Sequence, residues 1–344
     1  MAWNTTTLSP YVNTTLTNGT YPTISTTGIL SVFLLLITFL FGLLMNSLYL
    51  WVLGFRMSKS VNSTWFFHFT LANLIYTLVI PFVAVYVLWS PHWILGLFFC
   101  KLINTLLSVG MYGSSFLLTV ISCDRYMLVF HPVWYRRHMK PRYATVACLF
   151  LWCFACLCSS PYLVLRQLRQ ENATTLCYND YSLLGKSYGQ QLQGRRSIFA
   201  FRILVGYLLP LFTISFCYIK IALKMKKEKL SRSNKPFAII LMAISSFFVC
   251  WLPYHAWYAM TIEKWKFSTN TRSALLVLSI GFICFNSCFT PVLYLFVVES
   301  FKKVFKKSIL SLIESALNQA FVSLKSMEEK VVPHTSSMVR EDNH

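Results

Sequence analysis

The sequence predicts an all-α membrane protein: a bundle of seven transmembrane helices followed by a short amphipathic helix. Three observations carry that expectation. The 344 residues are 56% hydrophobic and only 12% charged, and one soluble core cannot hide that much apolar surface beneath a polar shell. Seven apolar stretches lie at about 28–54, 64–89, 98–131, 143–164, 198–225, 235–261 and 272–296. Each supplies the roughly 20 residues needed to cross a hydrocarbon layer ~30 Å thick. Finally, Lys and Arg collect in alternate loops, the pattern left by short segments retained on the cytoplasmic side.

Taken in order, residues 1–27 contain no Lys or Arg and are rich in Ser and Thr, with glycosylation sequons at Asn4, Asn13 and Asn18. They are expected outside the cell. No cationic stretch followed by a short apolar core precedes the first span, so that span is expected to act as the insertion signal. Arg56 and Lys59 follow the first span; Arg136, Arg137, Lys140 and Arg142 follow the third; seven cations lie from Lys220 to Lys235 after the fifth. These loops are expected in the cytoplasm, which leaves the sequon at Asn62 unused and the one at Asn172, in the long loop 165–197, outside. That loop is read as too short to hold a core of its own, so residues 28–298 form one membrane domain.

After the seventh span, residues 299–313 place Phe301, Val304, Phe305, Ile309 and Leu312 on one face and Lys302, Lys303, Lys306 and Lys307 on the other. A helix with that division lies along the inner membrane surface. No cysteine beyond Cys288 is present to carry a palmitate there. Residues 314–344 are read as a polar cytoplasmic tail, with Ser326, Thr335, Ser336 and Ser337 as phosphorylation candidates.

The net charge of +20 is compatible with nucleic acid in principle. The cations flank membrane spans, however, where anionic lipid headgroups and a cytosolic partner protein are the nearer counterions, so no nucleic-acid partner is expected. Of eleven cysteines, nine sit in apolar stretches, as small hydrophobes. Cys100 and Cys177 alone fall on the oxidising side and are expected to form one disulfide. Cys153, Cys156 and Cys158 have a spacing that superficially suits a metal but no fourth His or acidic ligand, and are read as helix packing. No metal and no cofactor are expected.

Ionisable groups in the hydrocarbon region are costly and mark function by default. Asp124 and Arg125 lie together at the cytoplasmic end of the third span, and Arg202, read as lacking an internal partner, in the upper half of the fifth; Lys101 is near enough to the boundary to snorkel. Asp124 and Arg125 read either as a static ion pair or as a latch, in which the acid restrains an arginine that later meets a cytoplasmic partner. In the sixth span, Trp251, Tyr254, His255 and Tyr258 share one face, forming either an aromatic pocket wall or a helix contact.

Asp124-Arg125-Tyr126 resembles the third-helix signature of rhodopsin-like G-protein-coupled receptors. Asn46, Trp152, Pro210 with Tyr218, Phe247 with Cys250-Trp251-Leu252-Pro253, and Pro291-Val292-Leu293-Tyr294 match further landmarks in order. The runs 131–134, 234–237 and 246–251 are similar to the formyl-peptide and related chemoattractant receptors. The resemblance implies a plasma-membrane receptor with its N-terminus outside and its C-terminus in the cytoplasm. Its implied partners are a heterotrimeric G protein, arrestin, membrane lipids and an extracellular anionic peptide or lipid. It implies a ligand site at Arg202, Ser108, Met111, Trp251, Tyr254, His255 and Tyr258. It also implies a switch made of Asp124, Arg125, Tyr126, Tyr218, Phe247, Trp251, Pro253, Pro291 and Tyr294, the prolines acting as hinges.

Some positions depart from that pattern. Relatives carry an acid in the middle of the second span that helps hold sodium; here it is Asn73, beside Ser114. Thr290 stands where the seventh-span motif usually begins with Asn or Asp, and Ile198 and Ser108 replace an arginine and an aspartate of formyl-peptide receptors. These departures keep open a receptor that captures ligand without activating G protein. No internal repeat suggests a transporter, and no nucleophile, base and orienting group come together as an enzyme requires.

Overall fold

The computed structural model describes residues 26–89, 92–171, 174–228, 235–297, 303, 306–311, 313–315, 317–320 and 322–323. The sequons at Asn4, Asn13, Asn18 and Asn172 lie outside them, and of residues 288–297 only the backbone is described.

The seven spans are helical. The first is α1 (Thr26–Trp51), prolonged by a π-helical turn over Val52–Arg56, and the second is α2 (Val61–Trp89). The third is α3 (Gly96–Phe130), which leads into the short α4 (Pro132–His138). The fourth is broken into α5 (Pro141–Ser159) and α6 (Pro161–Leu165). The fifth comprises α7 (Tyr188–Ile203), a π-helical turn over Leu204–Leu208, and α8 (Leu209–Lys227). The sixth and seventh are α9 (Lys235–Ile262) and α10 (Thr269–Val297). At 28 and 29 residues, α9 and α10 reach ~42 Å and ~44 Å, ample for a bilayer.

The third span is the axis. It packs on α2, α5 and α8, and its buried residues Met111, Tyr112, Phe116, Leu117, Leu118 and Ile121 join Trp65, Phe69, Tyr207, Tyr218, Phe247 and Trp251 in one core. Large apolar side chains such as Phe33, Leu40, Phe150, Leu157, Phe212 and Phe285 point outward instead, as lipid-facing residues must.

Segment 165–197, expected as a loop, holds regular structure. Arg166–Glu171 (β1) and Thr174–Asn179 (β2) pair antiparallel, with Leu168 opposite Cys177. Cys177 is disulfide-bonded to Cys100 at the head of α3, so the hairpin is moored over the bundle mouth. Thr175 strengthens the mooring: its N–H donates to His92 Nδ1 at 3.0 Å and its carbonyl accepts from the Trp93 N–H at 2.7 Å. The fifth span also begins ten residues before the expected start of 198, at Tyr188. Ser187 accepts from the Gln190 N–H while Gln190 returns a bond to the Ser187 N–H, and this capping box starts a polar helix above the membrane. Past the seventh span the described residues up to 323 are helical, beyond the boundary expected at 313, with Ser308 buried.

With the hairpin anchored this way, Cys100→Ser or Cys177→Ser is expected to release its strand from α3 and to reduce the amount of protein at the cell surface severalfold. Surface labelling checks this, and mass spectrometry of surface protein should find both thiols blocked.

Candidate functional site

Arg202 lies in the last turn of α7, where the fifth span packs on the third. Pro210 has no N–H to donate, so the Gly206 carbonyl four residues earlier is left without its helical partner. Ser115 of α3 satisfies it, its Oγ donating at 2.7 Å. The helix is wound wide at this point, and Gly206 lets the two spans close: a Cβ there would come within 2.8 Å of the Tyr112 ring. This junction turns Arg202 inward.

Arg202 is 3% exposed. One terminal nitrogen donates to the Tyr162 hydroxyl at 2.7 Å and to Ser108 Oγ at 3.2 Å; the other reaches Tyr254 Oη at 3.3 Å and Met111 Sδ at 3.2 Å. The rings of Tyr112, Tyr162, Tyr254 and Tyr258 lie 5.3–5.9 Å from its central carbon, in cation–π range. The expectation that Arg202 lacks internal partners is corrected: it has four polar or sulfur contacts. None is an anion, Nε has no partner, and no carboxylate pairs with Arg202 among the described residues. The hydroxyls hold the side chain in place without neutralising it.

The expected ligand residues divide. Arg202, Ser108, Met111, Tyr254 and Tyr258 gather around the guanidinium. His255 does not join them: it is turned toward the ring of Tyr207, 4.9 Å away. Trp251 lies deeper, between Tyr76 and Phe247, with centroids 6.0 and 5.9 Å distant. Of the seven, Tyr254 alone borders the central cavity, a space of about 280 Å³ under the hairpin walled chiefly by the second, third and seventh spans. Tyr76, Tyr86, Trp93 and Trp257 line it, with Asn104, Ser279 and Arg166 as polar groups. Sequence reading missed Arg166. It is the first residue of β1, in a polar stretch where a cation draws no notice, and the hairpin brings it inward.

At the rim, Glu263 pairs with Arg196 and with Lys266, tying the fifth span to the sixth. The hydrogen bond from Lys266, followed by the one from Arg196, holds its carboxyl below the usual carboxylate range. Arg195 lies 4.8 Å over the Tyr181 ring.

At the end of the third span remote from the hairpin, Asp124 is buried. Its short bonds are with aromatic donors rather than with its neighbour: Tyr135 Oη donates to Oδ1 at 2.6 Å and Trp65 Nε1 at 3.1 Å, whereas Arg125 stands 3.8 Å from Oδ2. Burial and the Asp124 acceptor push the Tyr135 phenol up, which keeps it a donor. A buried tryptophan seeks an acceptor for its N–H, and Trp65 finds it in Asp124, the one carboxylate within a span. Tyr126 stacks on Phe130 with centroids 4.4 Å apart, and Tyr218 is buried. Lys224 Nζ donates to the Val129 carbonyl at 2.8 Å, closing the fifth span on the third. In the sixth span Tyr207 Oη donates to the Phe248 carbonyl at 2.9 Å, one residue before the carbonyl that Pro253 leaves without its helical donor. The side chains of Pro291 and Tyr294 lie outside the described residues.

Hydrogen bonds to a charged group contribute about 1.5–3 kcal/mol. Trp65→Phe and Tyr135→Phe are therefore expected to loosen Asp124 and raise ligand-free nucleotide exchange about tenfold. Asn73 and Ser114 are both buried near the second–third contact, where Gly110 and Gly113 meet Ala72. With no carboxylate there, sodium is expected to leave ligand affinity unchanged, and Asn73→Asp to introduce sodium dependence, measured as binding with sodium exchanged for a bulky cation.

Cys153 and Cys156 are exposed on the outside of α5 while Cys158 is buried, so the three do not converge.

Comparison with known proteins agrees with this architecture. Residues 45–294 match the 7 transmembrane receptor (rhodopsin family) model. The chain is 42% identical to the Probable G-protein coupled receptor 33 of Pan troglodytes over 295 residues, covering 83% of this chain and 87% of that protein. Against the protein of that name from Mus musculus it is 40% identical over 324 residues, 92% of this chain and 93% of that one. The Chemerin-like receptor 1 of Mus musculus is 34% identical over 310 residues, 84% of this chain and 83% of its own. The relatives are receptors rather than enzymes, and the motifs of the third, fifth, sixth and seventh spans fall within the matched region. The chain belongs to the rhodopsin family of seven-transmembrane receptors, as a G-protein-coupled receptor of chemoattractant type.

Proposed function

We propose that this receptor binds an extracellular anionic peptide or lipid, held by Arg202, and passes the signal to a heterotrimeric G protein through Arg125. One observation carries the ligand class: an arginine 3% exposed, with no carboxylate to neutralise it among the described residues. Burying an uncompensated charge is expensive, and a bound acid repays much of that cost. Arg166 places a cation at the central cavity, and among the described residues no acid borders it. An amine ligand would find no counterion there.

The coupling half rests on the cytoplasmic end of α3, where Asp124 is bound by Trp65 and Tyr135 while Arg125 Nε lacks a partner. Arrestin and membrane lipids are the further partners in this reading, the N-terminus lies outside, and residues 1–27 carry the glycans. The rival is a binding-only receptor, favoured by Asn73 and Thr290 at switch positions. A screen of acidic peptides and lipids with a second-messenger readout tests the proposal. An acid that raises the signal supports it, and a response confined to amines would contradict it.

A further inference from the structure

Arg202 does not border the central cavity. It lines a separate cleft of about 230 Å³, whose other walls include Tyr112, Cys158, Pro161, Ile198 and Phe201. The fourth and fifth spans both pack on the third but make little direct contact with each other, and the cleft lies in the seam between them. Phe201, on its wall, is 45% exposed on the surface that faces lipid. Toward the central cavity the way is different: Tyr254 borders that cavity, and its hydroxyl is bonded to Arg202 at 3.3 Å. An acid in the central cavity meets Tyr254 before it meets the guanidinium, whereas in the seam Arg202 itself is part of the wall, beside Tyr162, to whose hydroxyl it donates at 2.7 Å.

We propose that this seam is a lateral port, through which a single-chain lipophilic acid from the outer leaflet places its carboxylate on Arg202. The proposal rests on the reading of Arg202 as the anion anchor and narrows the ligand from peptide or lipid to lipid. The occupant follows from the surroundings. The partnerless Nε and the partly engaged terminal nitrogens call for an anion. The largely apolar walls and the hydrocarbon beyond them offer nothing to backbone amides, so a peptide would leave polar groups unsatisfied. A cleft this small takes a carboxyl head and the first methylenes, with the rest of the chain along the lipid face of Phe201.

The probe is palmitic acid bearing a diazirine in its chain, photolysed with the receptor in nanodiscs, with labelled peptides located by mass spectrometry. Saturable labelling is expected on 158–162 and 197–201. It should fall about tenfold or more with the diazirine palmitamide, with Arg202→Gln, and with Ile198→Trp, which fills the cleft and leaves the charge in place. Ser197→Phe narrows the same cleft and serves if Ile198→Trp does not reach the membrane. Labelling on the central cavity, lost with Arg202→Gln but untouched by Ile198→Trp, would overturn the port and leave the anion anchor standing. Equal labelling by acid and amide, unchanged in Arg202→Gln, would overturn both. Absence of saturable labelling would overturn the port.

Discussion

Arg125→Ala is expected to lower ligand-stimulated nucleotide exchange at least a hundredfold while ligand affinity changes by no more than about tenfold. The magnitude follows from the donors removed. A guanidinium meeting carbonyls of an entering partner helix forms two or more charge-assisted bonds, each contributing about 1.5–3 kcal/mol. Two such bonds amount to about 3–6 kcal/mol, which exceeds a hundredfold. The small effect on affinity follows from distance along the third span. Arg125 is seventeen residues past Ser108, which touches Arg202, and that places it ~25 Å from the anion anchor. The neighbouring acid supplies an internal control. Asp124 is bonded to Trp65 and Tyr135, so Tyr135→Phe should act in the opposite direction to Arg125→Ala and increase resting exchange. A full signal from Arg125→Ala would remove Arg125 from the switch.

Arg202→Ala is expected to weaken an acidic agonist by about 2–5 kcal/mol, roughly thirtyfold to several thousandfold, and the same agonist with its carboxylate amidated far less. No allowance for solvent screening is needed, because the group is buried. Arg202→Lys should rescue only partly. The two terminal nitrogens of Arg202 reach Tyr162 and Ser108 on one side and Tyr254 on the other, a fork that one ammonium cannot reproduce. Binding curves for acid and amide on the three receptors check this. Equal affinity of the wild type for acid and amide would end the anion-anchor account.

The spans were legible because the bilayer dictates their length, so hydropathy alone finds them. Outside the membrane that signal fades. The strand Arg166–Glu171 shows no apolar alternation and owes its place to the Cys100–Cys177 bridge, and the early start of the fifth span was written only in the Ser187–Gln190 pair. A charge within an apolar run announced Arg202, Asp124 and Arg125. Their partners were hidden because contacts such as Trp65–Asp124 and Tyr162–Arg202 depend on how neighbouring helices rotate. The helical repeat does not encode that rotation. The same rotation turns His255 toward Tyr207 and away from Arg202, although the spacing of the sixth span placed both His255 and Tyr254 on one face.

The central claim is that an acid bound at Arg202 activates a G protein, and guanine-nucleotide exchange by the purified receptor in nanodiscs tests it most directly. With an acidic ligand from the screen, the wild type should accelerate exchange on a heterotrimer. Amidating the ligand or replacing Arg202 with Ala should return the rate to its resting value. Saturable binding of that acid with no acceleration of exchange on any heterotrimer class would contradict the account and leave a receptor that captures its ligand without signalling.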